Sequence, residues 1–190
     1  MTDPTDAELW TIWQDASRVA SVDTAMRALY EDVGQAIRNA PRDLPHGPPT
    51  CNASGRCCKF ETYGHRLYVT GLEIAWFLQH VPGAGDGATD VSKERPGGSP
   101  SHALPVMQPA ARLADACRYQ LDGLCSTHTI RPLGCRVYFC TPGTDDWQHA
   151  IYERFLDRLR ALHQTHGLPY RYMEWRAGLV EGERWLAESG

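Results

Sequence analysis

Residues 51–60 read CNASGRCCKF and residues 117–140 read CRYQLDGLCSTHTIRPLGCRVYFC. These two stretches hold all seven cysteines of the chain. Neither shows a sustained helical or strand period, and glycine and proline punctuate both. The fold must therefore accommodate an irregular, thiol-bearing middle, and the segments on either side of it read as helices.

Upstream, Thr5 with Glu8 forms a capping box, and Asp6 adds negative charge where a helix would begin. Leu9, Ile12, Ala16, Val19, Met26, Val33 and Ile37 then recur on one helical stripe, which predicts an N-terminal helix over residues 6–39. At ~1.5 Å per residue such a helix would reach about 50 Å, so a break is expected, with Gly34 as its place. Pro41 and the run PRDLPHGPPT end it. After the first cysteine stretch, RLYVT suggests a short strand, and Thr70 with Glu73 forms a second capping box opening LEIAWFLQHV. Residues 82–105 offer glycine, proline, serine and charge but little to bury, and read as a flexible insertion within the domain. VMQPAARLADA is expected to hold a few extended residues before the second cysteine stretch. Trp147, Ile151, Phe155, Leu159 and Leu162 mark a helix over 145–166, with Gly167 and Pro169 as its stop. A last helix is expected over 171–187, so that residues 145–187 supply the C-terminal helices. The predicted fold is mainly α: one domain over 1–190, its helices packed around a cysteine-rich metal-binding core at 51–140, with at most a few short strands.

With 190 residues, 42% hydrophobic content and net charge −4, the chain can bury a core by itself and offers no basic footprint for nucleic acid or anionic membrane. No apolar run is long enough to span a bilayer, and the acidic, amphipathic N-terminus is unlike a signal peptide. A cytoplasmic location is therefore expected, and the NAS at 52–54 is discounted as a glycosylation acceptor. In a reducing compartment, clustered cysteines are more often metal ligands or redox groups than disulfides. An odd number of thiols cannot pair completely, and a bridge between the adjacent Cys57 and Cys58 would be strained.

The spacing is C-x5-CC, then C-x7-C-x2-H-x6-C-x4-C. Thiolates are soft, strongly donating ligands for zinc, iron–sulfur clusters and copper(I), and the glycines of SGRCC and RPLGC permit the tight reversals that bring them together. Side chains of neighbours diverge in extended backbone, so Cys57 and Cys58 are expected to serve different metals, or one metal and one packing role. Seven thiols and His128 exceed the four donors of a tetrahedral ion, which leaves two ions or one cluster open. Thiolates on a divalent ion carry excess negative charge that is costly to bury, and Arg56, Lys59, Arg118, Arg131 and Arg136 stand close by in sequence to offset it. His163 and His166 are expected to interact with a helix C-terminus, and the tryptophans to pack in the core.

The combination CNASGRCC, VTGLEIAWF and CRYQLDGLCSTHTIRPLGCRVYFC resembles the YkgJ-type cysteine-cluster family, described as a zinc- or iron-chelating domain. The likeness covers about residues 51–140 without the insertion. It implies Cys51, Cys57, Cys58, Cys117, Cys125 and Cys135 as ligands of zinc or iron, a 4Fe-4S cluster included. Cys140 is added on thiol count and spacing alone. Two departures stand out. The family's second cysteine falls on Ser54, and His128 stands where relatives carry tyrosine, so His128 is a candidate to replace the lost donor. Members of related groups are flagellin lysine N-methylases and iron–sulfur oxidoreductases, which makes an enzyme the second expectation. GAGDG at 83–87 lacks the strand and helix a dinucleotide loop requires. A third expectation is a metal-stapled module that docks on an unidentified protein partner through its first helix, with Trp10 and Trp13 near its start.

Overall fold

The computed structural model describes residues 3–44, 46–51, 54–81, 116–121 and 123–189. The expected insertion at 82–105 and the extended residues expected at 106–115 lie outside them.

The capping box at Thr5 is present: its Oγ1 accepts from the Glu8 backbone N–H, and Glu8 Oε2 accepts from the Thr5 N–H at 2.7 Å. It opens α1 (Asp6–Arg18). The expected single helix over 6–39 is in fact two, because α2 (Ala20–Arg38) follows after one residue. The break falls at Val19, whose φ −75° and ψ 123° are extended, and Gly34 stays inside α2. Packing explains the position. α1 lies mainly against α4 (Gly71–His80), whereas α2 packs on α5 (Leu133–Val137) and α6 (Asp145–Thr165). A straight rod of that length could not serve both sets of partners.

α4 is the central element, and every residue from Gly71 to Leu78 is buried. Its N-terminus meets Trp13 so closely that a Cβ on Gly71 would stand 2.3 Å from the indole. Trp13 is fully buried and donates its Nε1–H to the Pro169 carbonyl at 2.9 Å, which fixes α1 to the turn after α6. Trp10 is buried as well, so neither tryptophan forms a docking surface. α3 (Phe60–Tyr63) is a single turn that buries Phe60.

β1 (Tyr68–Thr70), where RLYVT suggested a strand, pairs antiparallel with β4 (Tyr172–Glu174), with Val69 opposite Met173. The sequence predicted helix from 171; instead the helix, α7 (Trp175–Ser189), starts only after β4. Backbone bonds from Trp175 N–H to Leu67 O and from Gly71 N–H to Arg171 O extend the pairing at both ends. Nothing in residues 172–174 alone favours strand; the ladder exists because β1 offers its edge. A second antiparallel pair, β2 (Gln120–Leu121) with β3 (Leu124–Cys125), turns at Gly123.

The helix predicted over 145–166 is α6, with Ile151, Phe155, Leu159 and Leu162 buried as its spacing required and Gly167 at positive φ at its end. His163 is a core residue, with Nδ1 3.1 Å from the Pro169 carbonyl, and burial lowers its pKa. The molecule is mainly helical, with two short two-stranded ladders among the described residues. Its helices enclose an apolar core of Trp13, Met26, Phe77, Phe155, Leu159 and Trp175, in which Cys58 and Cys117 are buried as well. No described helix is long and apolar enough to cross a membrane.

Candidate functional site

The first cysteine segment is shaped by Gly55. With φ +68° it reverses the chain into a 3-10 turn, Arg56–Cys58. A Cβ there would come within 2.5 Å of both the Gln120 amide nitrogen and the Gly123 carbonyl oxygen, so any larger residue would push the β2–β3 hairpin away. Two bonds stitch the segments together: Gln120 Nε2 donates to Gly55 O at 2.8 Å, and Cys117 N–H donates to Cys58 O at 2.7 Å. The third segment is held by Glu73. Beyond capping α4 through Thr70, its carboxylate accepts the Leu133 N–H at 2.9 Å and the Tyr30 hydroxyl at 3.3 Å, fixing the first residue of α5 two positions before Cys135. Glu73 is 2% exposed, and burial raises its pKa against these donors.

Cys58 lies at the meeting point. Its Sγ is 3.8 Å from that of Cys57, its carbonyl accepts the Cys117 N–H at 2.7 Å, and the thiols of Cys117 and Cys125 are near enough to shift its pKa. The tight 3-10 backbone is the reason the adjacent pair converges; the sequence expectation of divergence assumed an extended chain. These contacts divide the protons unequally. The neighbouring Cys58 thiol brings Cys57 and Cys117 each down to about 7, and brings Cys125, helped by Thr127, down to about 5. The same neighbours raise Cys58 itself, and burial raises Cys135.

Of the five basic residues that sequence placed near the thiols, Arg131 favours the thiolates of Cys57 and Cys125 and opposes the rise at Cys135. Arg136 stacks over Tyr30 and donates to Thr129 O, and burial lowers its pKa against the favourable pull of Tyr30, Cys135 and Glu73. Arg56 covers the Tyr63 ring, and Arg118 pairs with Glu183.

The remaining candidates have other surroundings. Cys140 Sγ is 3.5 Å from Ser54 Oγ. Cys51 is exposed and lines a cavity together with His128, whose ring is also exposed. All seven cysteines are unbridged. Among the described residues, no three or more His, Cys, Asp or Glu side chains are already set in coordinating geometry for a metal ion.

One sulfur pair has the spacing that two ligands of a thiophilic metal take. With Zn–S near 2.3 Å, tetrahedral coordination puts sulfurs about 3.8 Å apart, which is the Cys57–Cys58 separation. A cavity of about 480 Å³ opens beside Cys57 and Cys135, walled by Phe60, His65, Tyr138 and Tyr152. Its size suits a small-molecule ligand, and a molecule inside it would reach two of the thiols.

Sequence reasoning missed the second task of Glu73, the docking role of Gln120 and the contact of Thr127 with Cys125. The capping box had marked Glu73, but its partners 43 and 60 positions away leave no trace in a linear pattern. Comparison of the chain with protein-family models, with curated proteins and with solved structures finds no match.

Proposed function

We infer that this protein binds a zinc or iron centre, an iron–sulfur cluster included, through the thiolates of Cys57, Cys58, Cys117 and Cys125. One observation carries the reading: Cys58 lies 3.8 Å from the Cys57 sulfur, accepts the Cys117 N–H at 2.7 Å, and is shifted by the thiols of Cys57, Cys117 and Cys125, which come from segments far apart in sequence. Four thiols in one place share protons at a cost that a metal removes, because coordination replaces each proton with a cation. Three of the four are already lowered toward thiolate, the form that coordinates. Four thiolates around a divalent ion would leave negative charge, and Arg131 is positioned to offset it. The resemblance to the YkgJ-type family points the same way. On this reading Cys51, Cys140 and His128 are not required donors, and His128 does not replace the family's missing cysteine. Cys135, held as a thiol by burial, is a neighbour of the centre.

Metal analysis and a visible spectrum of protein purified without oxygen test the reading. Stoichiometric zinc in colourless protein, or iron and sulfide in brown protein, is expected, and Cys58→Ala should empty the site while Cys51→Ala leaves it filled. Folded protein free of both metals would refute it.

The cavity beside Cys57 and Cys135 favours a second reading, catalysis at the same centre, either as an oxidoreductase or as an enzyme similar to the protein N-methylases. A bound centre would supply Lewis-acid or electron-transfer chemistry there; the protein's own residues would hold the substrate among the aromatic walls.

A further inference from the structure

A second cavity, of about 430 Å³, lies between α2 and the 128–139 segment. Its lining gathers Arg38, Arg131, Arg136 and His128. Among the described lining residues Glu31 is the one carboxylate, and it is engaged by Arg38 at 2.6 Å. The other three basic groups are close enough to disfavour one another's charge: after burial, Arg131 and Arg136 both depress the His128 pKa, and Arg131 depresses that of Arg136 against the pull of Tyr30, Cys135 and Glu73. Further, the Nε atoms of Arg131 and Arg136 are buried and lack a hydrogen-bond partner among the described residues. Buried guanidinium nitrogens are ordinarily satisfied, and a concentration of like charge is unfavourable unless something offsets it. In a chain of net charge −4 this is a local excess against the general trend. Thiolates of the cysteine group offset part of the Arg131 charge, but they offer nothing at His128 beyond the influence of Cys125.

We propose that this cavity is a binding site for a small oxyanion, the phosphate or carboxylate group of an organic ligand, held by Arg131, Arg136 and His128. Planar guanidinium forks match either group with paired hydrogen bonds, and the volume leaves room for the rest of a small metabolite. The inference does not rest on the metal reading, since the cations and the cavity are there whatever the sulfurs hold.

Calorimetric titration of the full chain with inorganic phosphate and, separately, with malonate at about 0.15 M potassium chloride tests it. Saturable binding of phosphate alone assigns a phosphorylated ligand, and saturable binding of malonate alone assigns a carboxylate; either supports the site. Arg131→Gln should weaken the bound anion about tenfold or more, the loss expected for one charge-assisted bond. Arg42→Gln, on the exposed surface, should leave the affinity unchanged. Should Arg131→Gln fail to fold, His128→Gln carries the comparison, with a loss of about threefold for an exposed partner. No saturation with either anion, or equal affinity in wild type and in the Arg131 or His128 variant, overturns the proposal. Metal content of the same samples reports separately on the thiolate centre, so a protein that binds phosphate without metal would sink the metal reading alone.

Discussion

Cys125 and Cys58 are the same chemical group shifted in opposite directions, one toward the thiolate and the other toward the protonated thiol. Cys125 is lowered to about 5 by Cys58 and Thr127, whereas Cys58 is raised by its three sulfur neighbours. A lowered pKa leaves the thiolate in place above it, so in metal-free protein Cys125 should alkylate with iodoacetamide at pH 6 while Cys58 and Cys135 do not. Peptide mass spectrometry after a short pulse checks the order, and equal labelling of all three would contradict these opposite shifts. Glu73 presents a different residue-scale problem. Each of its carboxylate oxygens accepts from two partners, Thr70 N–H and Oγ1 on one and Leu133 N–H and Tyr30 hydroxyl on the other. Glu73→Gln replaces one acceptor with an amide donor facing other donors, which should cost about 2 kcal/mol of stability in urea unfolding.

Two helices begin with the same motif, a threonine and a glutamate three residues apart, in different surroundings. The box at Thr5 is exposed, and the box at Thr70 is buried. Thr70→Ala should therefore cost about 1–2 kcal/mol, the upper part of the range for a lost cap, while Thr5→Ala costs less. Paired thermal melts decide it, and equal losses would show that burial does not amplify the cap. At the next residue, Gly71→Ala drives a methyl into the Trp13 ring, which is flanked by the core and tethered to Pro169. Such overpacking should cost about 2 kcal/mol, visible as a lowered Tm. The same contact explains a boundary that the sequence did not give away. The apolar stripe over 6–39 continues through Val19, and only the different partners of α1 and α2 require the chain to turn there.

At the scale of the molecule, the helical core and the thiol-bearing segments are held by different forces. Burial of Trp13, Phe77, Phe155 and Trp175 stabilises the helices, whereas the 54–58 and 117–125 segments are joined by a few backbone and amide bonds around Gly55. If a metal occupies the sulfurs, its removal by a chelator should leave the far-UV helical signal largely intact. Amide exchange should then rise in 54–59 and 117–125, with protection retained in α4 and α6. A global loss of helix on chelation would mean that the centre, and not the apolar core, holds the fold together.

The mainly helical class, the two capping boxes, the α6 stripe from Ile151 to Leu162 and the stop at Gly167 were all legible in the sequence, because each depends on residues within a turn or two of one another. The clustering of thiols in two segments was legible too. What only the tertiary structure decided was which of them meet. Cys57 and Cys58 stand 3.8 Å apart and the Cys117 segment is bonded to Cys58, because a positive φ at Gly55 reverses the chain and the β2–β3 hairpin docks upon it. Those are contacts between segments remote along the chain, and a linear pattern records the groups that could meet but not the distances at which they do.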